Sequence, residues 1–136
     1  MTTVLFACIH NAGRSQMAAA FFTALADPTR ARAISAGTEP ADVVHPEVVA
    51  AMREVGIELA GVRPRRLTPA LASEANLLVT MGCGETCPHV PGLQREDWSL
   101  PDPKGQDRER VRAIRDEIRG HVERLLAARA WGADGS

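Results

Sequence analysis

The stretch VLFACIHNAGRSQMAAAFF, residues 4–22, decides the fold because an apolar segment passes through a short turn into a helix. Residues 3–7 form an apolar run typical of a strand buried on both faces, and good helix formers extend from Arg14 to about Ala26. Cys8 lies where the apolar run ends, and Arg14 lies six residues later, where the helix begins. A thiol and a guanidinium that flank one turn can form an anion site with its own nucleophile.

Two further strands are predicted, at residues 31–36 and at residues 76–81, where the sequence NLLVTM is almost entirely apolar. Apolar residues at helical spacing predict a helix over residues 45–55, and a short helix is expected at residues 69–73. The last helix spans residues 107–129 and carries one apolar stripe, formed by Val111, Ile114, Ile118, Val122, Leu125 and Leu126. Alternating strands and helices predict an α/β fold with a parallel β-sheet flanked by helices on both faces.

The length of 136 residues fits one domain, residues 1–136, with a single core. A net charge of −1 argues against nucleic acid as the main partner. No basic leader opens the sequence and no apolar run is long enough to cross a bilayer, so we expect a cytoplasmic protein without membrane contact. The three cysteines are an odd number, and disulfide staples are rare in a reducing compartment. They are therefore expected to serve chemistry, metal binding or the core.

The turn after Cys8 has the features of an oxyanion-binding loop. A strand, a tight turn and a helix start leave backbone N–H groups without helical partners, and the positive end of the helix dipole strengthens their attraction for an anion. Gly13 permits close backbone approach, and Asn11 tolerates the left-handed conformation that such turns often need. The alternative is a small buried cysteine beside a solvated arginine. The candidate oxyanion-binding residues are Ile9, His10, Asn11, Ala12, Gly13, Arg14 and Ser15.

Within this loop, two side chains have distinct expected roles. Arg14 can direct two N–H donors onto a tetrahedral oxyanion. Ser15 can donate a hydrogen bond to the Cys8 sulfur, and the field of the loop stabilises the Cys8 thiolate. The expected chemistry is attack by Cys8 on an anion that the loop and Arg14 hold.

Asp102 is the candidate general acid. It lies in the segment LPDPKG, where Pro101 and Pro103 restrict the backbone on both sides. A carboxylic acid above the anion loop could protonate the departing oxygen as Cys8 displaces it, an effect typically worth about 100- to 10,000-fold. The alternative is an ordinary turn aspartate, since Asp-Pro is common in turns.

The other two cysteines, Cys83 and Cys87, occupy the glycine-rich segment GCGETCPHVPG. Together with His89 they offer three metal ligands, but a structural zinc site usually needs four, and a fourth sulfur could come only from Cys8. Two thiols in a glycine-rich loop also make a poor core. We therefore expect no metal at these residues.

Several motifs resemble the arsenate reductases built on the low-molecular-weight tyrosine phosphatase fold. The most specific is CIHNAGRSQMA at residues 8–18. The resemblance continues through ISAGTEP at 34–40, TMGCGETCP at 80–88 and EDWSLPDPKG at 96–105, and it includes the last helix. It therefore covers nearly the whole chain.

The resemblance implies that Cys8, with Arg14 and Asp102, attacks arsenate, for which phosphate and sulfate are mimics. It further implies that Cys83 attacks the Cys8 sulfur as arsenite leaves, and that Cys87 then displaces Cys8. No tightly bound cofactor is implied, but an external reductant is required, either thioredoxin or a comparable thiol system.

Two alternatives remain open. A low-molecular-weight phosphatase would use Cys8, Arg14 and Asp102 but not Cys83 and Cys87. Phosphatases of this fold usually carry an aromatic residue after the acid and its proline, where this chain has Lys104. A metal- or metalloid-sensing protein would use the three thiols as soft ligands.

Overall fold

The computed structural model describes residues 1–81 and 92–133. Its strands are β1 (Thr2–Cys8), β2 (Ala31–Gly37), β3 (Leu77–Thr80) and β4 (Gln94–Asp97). Its helices are α1 (Arg14–Leu25), α2 (Pro46–Arg53), α3 (Pro69–Ala72) and α4 (Arg108–Arg129). Among these helices, none has both the length and the apolar character that crossing a membrane requires.

The strands form one parallel sheet in the order β2-β1-β3-β4, which confirms the predicted fold class. The first strand, β1, is central, and Cys8 is paired with Gly37 of β2. On the other side, Ala7 is paired with Thr80 of β3. In a parallel sheet all carboxyl ends meet at one edge, where ligands of such folds bind. Cys8 is the last residue of β1 and therefore lies at this edge.

The side chains of β1 point alternately to the two faces of the sheet, and each face has its own hydrophobic core. Val4, Phe6 and Cys8 belong to the larger core, which includes buried residues of α1, α2 and α4. Leu5 and Ala7 belong to a smaller core with residues of β2, β3 and α3. The strand is therefore buried on both faces, as its uninterrupted apolar sequence predicts.

The sequence prediction missed β4, whose residues Gln94–Asp97 are polar and mostly exposed. Because most of its residues are exposed to solvent, β4 shows neither an alternation of apolar and polar residues nor an apolar run. Nothing in its sequence pattern therefore distinguishes it from a loop. The predicted helices and the other strands are present with ends shifted by one or two residues, as at α2, which begins at Pro46 after His45 as its N-cap.

A buried arginine joins α4 to the end of α2. Arg115, which is 8% exposed, donates from Nη1 to the carbonyl oxygen of Ala51 at 2.9 Å and to Glu54 Oε1 at 2.8 Å. Arg112 Nη2 donates to the other oxygen of Glu54 at 2.6 Å. Hydrogen bonds from Arg112, and then from Arg115, hold the pKa of Glu54 at about 2, below its ordinary value of 4.5.

The Glu54 contacts predict a pH-dependent contribution to stability. Because the pKa is lowered in the folded state, the contribution is present above about pH 4.5 and is lost as the pH falls toward 2. Glu54→Gln should therefore lower the free energy of unfolding at neutral pH, with the difference from the parent shrinking at acidic pH. Urea unfolding at neutral pH and at about pH 3 measures this.

Glu58→Gln is the matched control, because Glu58 pairs with Arg53 and both side chains are more than half exposed. Exposed pairs contribute little, so this variant should differ less from the parent at neutral pH. A Glu54→Gln difference that is the same at both pH values would contradict the assignment.

Candidate active site

The Cys8 thiol lies at the bottom of the loop between β1 and α1. The residue is 3% exposed, and its Sγ is 2.9 Å from the Oγ of Ser15, which is fully buried in the first turn of α1. The sequence prediction that Ser15 contacts the sulfur therefore agrees with the geometry. A thiolate buried this deeply needs hydrogen-bond donors around it, because desolvation disfavours the charged form.

Asn11 shapes the turn. Its φ of 49° is in the left-handed region, which asparagine tolerates better than most residues. Its side-chain Oδ1 accepts hydrogen bonds from the backbone N–H of Arg65 and from Nε2 of Gln16, both at 3.0 Å. Its Nδ2 donates to Ser15 Oγ at 2.7 Å. The buried Asn11 amide is thus bound on both sides, which fixes its orientation.

This chain of hydrogen bonds directs a proton toward the Cys8 sulfur. An amide nitrogen can only donate, so Ser15 Oγ accepts from Asn11. The hydroxyl hydrogen of Ser15 is then free to point at Cys8 Sγ. Ser15 Oγ can therefore donate to the sulfur.

The loop carbonyls all point away from the anion site. The carbonyl oxygens of residues 8–13 accept hydrogen bonds from Thr38, Glu39, Ala41, His45 and Met17 N–H groups and from the Gln16 side chain. In a trans peptide the carbonyl and the following N–H point in opposite directions. The N–H groups of residues 9–14 therefore point to the other side, where they can bind an anion. The accepting residues are Cys8, Ile9, His10, Asn11, Ala12 and Gly13.

The structure brings Arg14 and Asp102 together, as the sequence analysis expects. Arg14 is 8% exposed, and its Nη1 donates to the carbonyl oxygen of Leu100 at 2.9 Å. Its Nη2 lies 3.8 Å from Oδ2 of Asp102, whose side chain is 43% exposed. The other carboxylate oxygen of Asp102 accepts from the backbone N–H of Lys104 at 3.0 Å. The candidate acid is therefore held beside the guanidinium and open to solvent.

Cys83, Cys87 and His89 lie outside the described residues. Within residues 1–81 and 92–133, no group of three or more histidine, cysteine, aspartate or glutamate side chains is arranged to hold a metal ion.

His45 is close to the loop. Its backbone N–H donates to the carbonyl oxygen of Ala12. Burial lowers the pKa of its imidazole, whereas the nearby carboxylates of Glu47 and Asp102 act in the opposite direction and raise that pKa.

Gly37 is a site residue that the sequence analysis did not single out. A methyl group on Gly37 would lie 2.5 Å from the carbonyl oxygen of Ile9 and 2.9 Å from the backbone N of Asn11. Both contacts are with backbone of the anion loop, which cannot turn aside as a side chain can. The only signal in the sequence is the position of Gly37 at the end of a predicted strand, which is also typical of an ordinary turn.

Gly37→Ala should therefore destabilise the protein by about 1–3 kcal/mol, as other overpacked sites do. Gly120→Ala is the matched control, since the added methyl there would meet only the flexible end of Arg124, at 3.3 Å. Within α4 that change should be neutral or stabilising by about 0.5–1 kcal/mol. Urea unfolding of both variants measures the difference, and equal free energies of unfolding would contradict the packing argument.

The chain is similar in sequence to one protein family and to named arsenate reductases. Residues 3–131 match the low molecular weight phosphotyrosine protein phosphatase family. A candidate arsenate reductase of Halobacterium salinarum is 39% identical over 129 residues, covering 89% of this chain and 88% of that protein. A glutaredoxin arsenate reductase of Synechocystis is 35% identical over 93% of this chain and 98% of its own length.

A thioredoxin-dependent arsenate reductase of Corynebacterium glutamicum has a solved structure that superposes with a TM-score of 0.79 at 36% identity. The superposition covers 94% of this chain and 61% of that one, so this chain spans less than two thirds of its length. The family match extends from β1 to just beyond the end of α4. The chain belongs to the low-molecular-weight phosphotyrosine protein phosphatase family, and within it to the arsenate reductases.

Proposed function

We propose that this protein reduces arsenate to arsenite with Cys8 as nucleophile, and that Cys83 and Cys87 carry the resulting disulfide to an external protein dithiol. The observation that carries the proposal is the loop itself. Its carbonyls point outward, its N–H groups donate to no acceptor within residues 1–81 and 92–133, and Cys8 and Arg14 lie at its two ends. Such a loop binds a tetrahedral oxyanion and places a thiolate against it.

In the first step the Cys8 thiolate attacks arsenic, and an S–As bond forms as one As–O bond breaks. The departing oxygen leaves as water when Asp102 supplies a proton. The exposed Asp102 carboxyl lies 3.8 Å from Arg14, so the acid and the oxyanion clamp reach the same region. Arsenic remains in its +5 state, because substitution at arsenic transfers no net electrons.

In the second step the Cys83 thiolate attacks the Cys8 sulfur. An S–S bond forms, the S–As bond breaks, and its electron pair stays on arsenic, which leaves as arsenite. The chain supports this assignment, because Met81 donates its N–H to Ala7, the residue before Cys8 in β1. Cys83 follows Met81 by only two positions in the sequence.

In the third step Cys87 attacks Cys83, and Cys8 leaves as a thiolate ready for another anion. The Cys83–Cys87 disulfide is then reduced by thiol–disulfide exchange with an external dithiol. One relative is called a glutaredoxin arsenate reductase, and another is a thioredoxin-dependent arsenate reductase. We assign a thioredoxin-type electron donor to this protein because the relay ends in a disulfide within the chain. This chemistry fits the cytoplasm, where thiols are kept reduced.

A phosphatase activity is less well supported. Lys104 and Gly105 follow Pro103 and are exposed, so no aromatic side chain at these positions can flank an aryl ester. The anion loop itself does not distinguish phosphate from arsenate, so slow hydrolysis of small esters is compatible with the proposal. A phosphatase would have no use for Cys83 and Cys87.

The relay predicts different failures for Cys83→Ser and Cys87→Ser. Cys83→Ser cannot form the first disulfide, so catalytic arsenite release should fail. Cys87→Ser can still form it, so each chain should release about one arsenite and then stall. Quantifying arsenite per chain, with a protein dithiol as sole reductant, distinguishes the two. Peptide mass spectrometry of the stalled protein should find Cys8 joined to Cys83.

Cys8→Ser is the control, because it should release no arsenite while retaining the N–H groups and Arg14 that bind sulfate. Multiple turnovers by Cys87→Ser would refute the three-cysteine relay. Stoichiometric zinc or arsenite retained by freshly purified protein, without turnover, would favour the metal- or metalloid-sensing alternative.

Asp102→Asn tests the acid. It should slow single-turnover arsenite release, measured with enzyme in excess over arsenate, by about 100- to 10,000-fold, because the amide has no proton of suitable acidity to give. Sulfate binding and the free energy of unfolding should change little, since the side chain is 43% exposed. An unchanged single-turnover rate would show that Asp102 is only a turn residue.

A further inference from the structure

Besides the Arg14–Asp102 ion pair at 3.8 Å, the segment that carries Asp102 touches the anion loop at two points. One is polar, from Arg14 Nη1 to the carbonyl oxygen of Leu100. The other is steric, between the ring of Pro103 and the backbone of Gly13. Pro103 is buried, although Pro101 and Lys104 on either side of it are exposed. Pro103 is therefore the point at which this segment, residues 100–105 and here named the acid segment, is seated on the protein.

The contact at Gly13 leaves no room for a side chain. A methyl group on Gly13 would lie 2.8 Å from Cγ of Pro103 and 3.4 Å from its Cδ. The first distance is shorter than real carbon contacts allow, and because the ring is closed onto the backbone, Pro103 has no rotamer that would swing it away. On its other side the methyl would lie 3.6 Å from Cδ2 of His45, which is an ordinary contact. Within the part of the chain that the structure describes, the obstruction would come from Pro103.

The position of Pro103 determines the position of Asp102, which is bonded directly to it. The acid segment is also internally tied, since Lys104 N–H donates to Asp102 Oδ1 at 3.0 Å and Gln106 N–H donates to the Pro103 carbonyl at 3.1 Å. These contacts couple Asp102 to Pro103 and Lys104, so a shift of Pro103 is transmitted to Asp102. If Pro103 moves outward, the Asp102 carboxyl moves away from Arg14 and from the bound anion.

We propose that Gly13 is a positioning residue for Asp102: its missing side chain lets Pro103 sit directly on the anion loop, which sets the reach of the acid. The proposal rests on the proposed function, because it takes Asp102 as the proton donor. It gives Gly13 a second role besides contributing an N–H group to the oxyanion site. Proton transfer needs donor and acceptor within about 2.6–3.2 Å, so a shift of one ångström in Asp102 is enough to impair it.

The test compares Gly13→Ala, Pro103→Ala and the double variant by single-turnover arsenite release. Gly13→Ala should slow release roughly 10- to 100-fold, a part of what the acid contributes. Pro103→Ala removes both ring atoms that the new methyl would meet, and alone it should cost only a few-fold through a looser segment. The double variant should be faster than Gly13→Ala, since the obstruction has been removed.

The Asp102→Asn background isolates the acid from the binding loop. There Gly13→Ala should have no further effect on the rate, because the group it displaces no longer donates a proton. Sulfate affinity should change by less than a few-fold in Gly13→Ala, since the N–H groups remain. A positioning role predicts this separation of rate from binding, whereas general damage to the loop would weaken sulfate binding as well.

Two outcomes would overturn the proposal while leaving the proposed function intact. One is a Gly13→Ala rate that Pro103→Ala does not improve, and the other is a Gly13→Ala effect that persists unchanged in Asp102→Asn. By contrast, an Asp102→Asn variant that releases arsenite at the parent rate would refute the acid assignment itself. That result would also remove the basis of the positioning role, and the Asp102→Asn rate alone distinguishes it from the two outcomes above.

Discussion

The left-handed backbone of Asn11 is the constraint on which the site depends. It turns the chain sharply after β1, so that α1 begins six residues beyond Cys8. The Asn11 side chain then ties the turn to α1, through Gln16 and Ser15, and to the N–H of Arg65 in a separate segment. Hydrogen bonds at both the oxygen and the nitrogen fix the orientation of this buried amide, and in that orientation Ser15 Oγ accepts from Asn11 and can donate to the sulfur.

The rest of the fold supports this turn from outside. The segment after β2 supplies four of the N–H groups that hold the loop carbonyls outward, and the last of these is the N–H of His45, the N-cap of α2. At the other end of α2, Arg115 of α4 bonds the carbonyl of Ala51. The anion loop is thus connected through α2 to the longest helix. The anion loop is therefore held in place by hydrogen bonds from neighbouring parts of the fold.

The sequence is sufficient to predict the features that depend on local pattern. The apolar run before Cys8 predicts a buried strand, the good helix formers after Arg14 predict a helix, and the stripe on α4 has helical periodicity. The roles expected for Asn11 and Ser15 follow from the known behaviour of their side chains. The contacts of Gly37 and Gly13 could not be predicted, because a glycine shows nothing of what lies against it. Pro103 and Ile9 approach these residues from distant parts of the chain.

The same polarity that conceals β4 in the sequence has a consequence for the sheet as a whole. Among the strands that the structure describes, β4 is outermost, and an outermost strand with unpaired backbone groups is a template for pairing with another chain. Arg95, Glu96 and Asp97 place charges along it, over only four residues of strand. A neighbouring molecule would have to desolvate these charges to extend the sheet, so the charged edge discourages aggregation. A more strand-like sequence would have been easier to recognise and would have lost this protection.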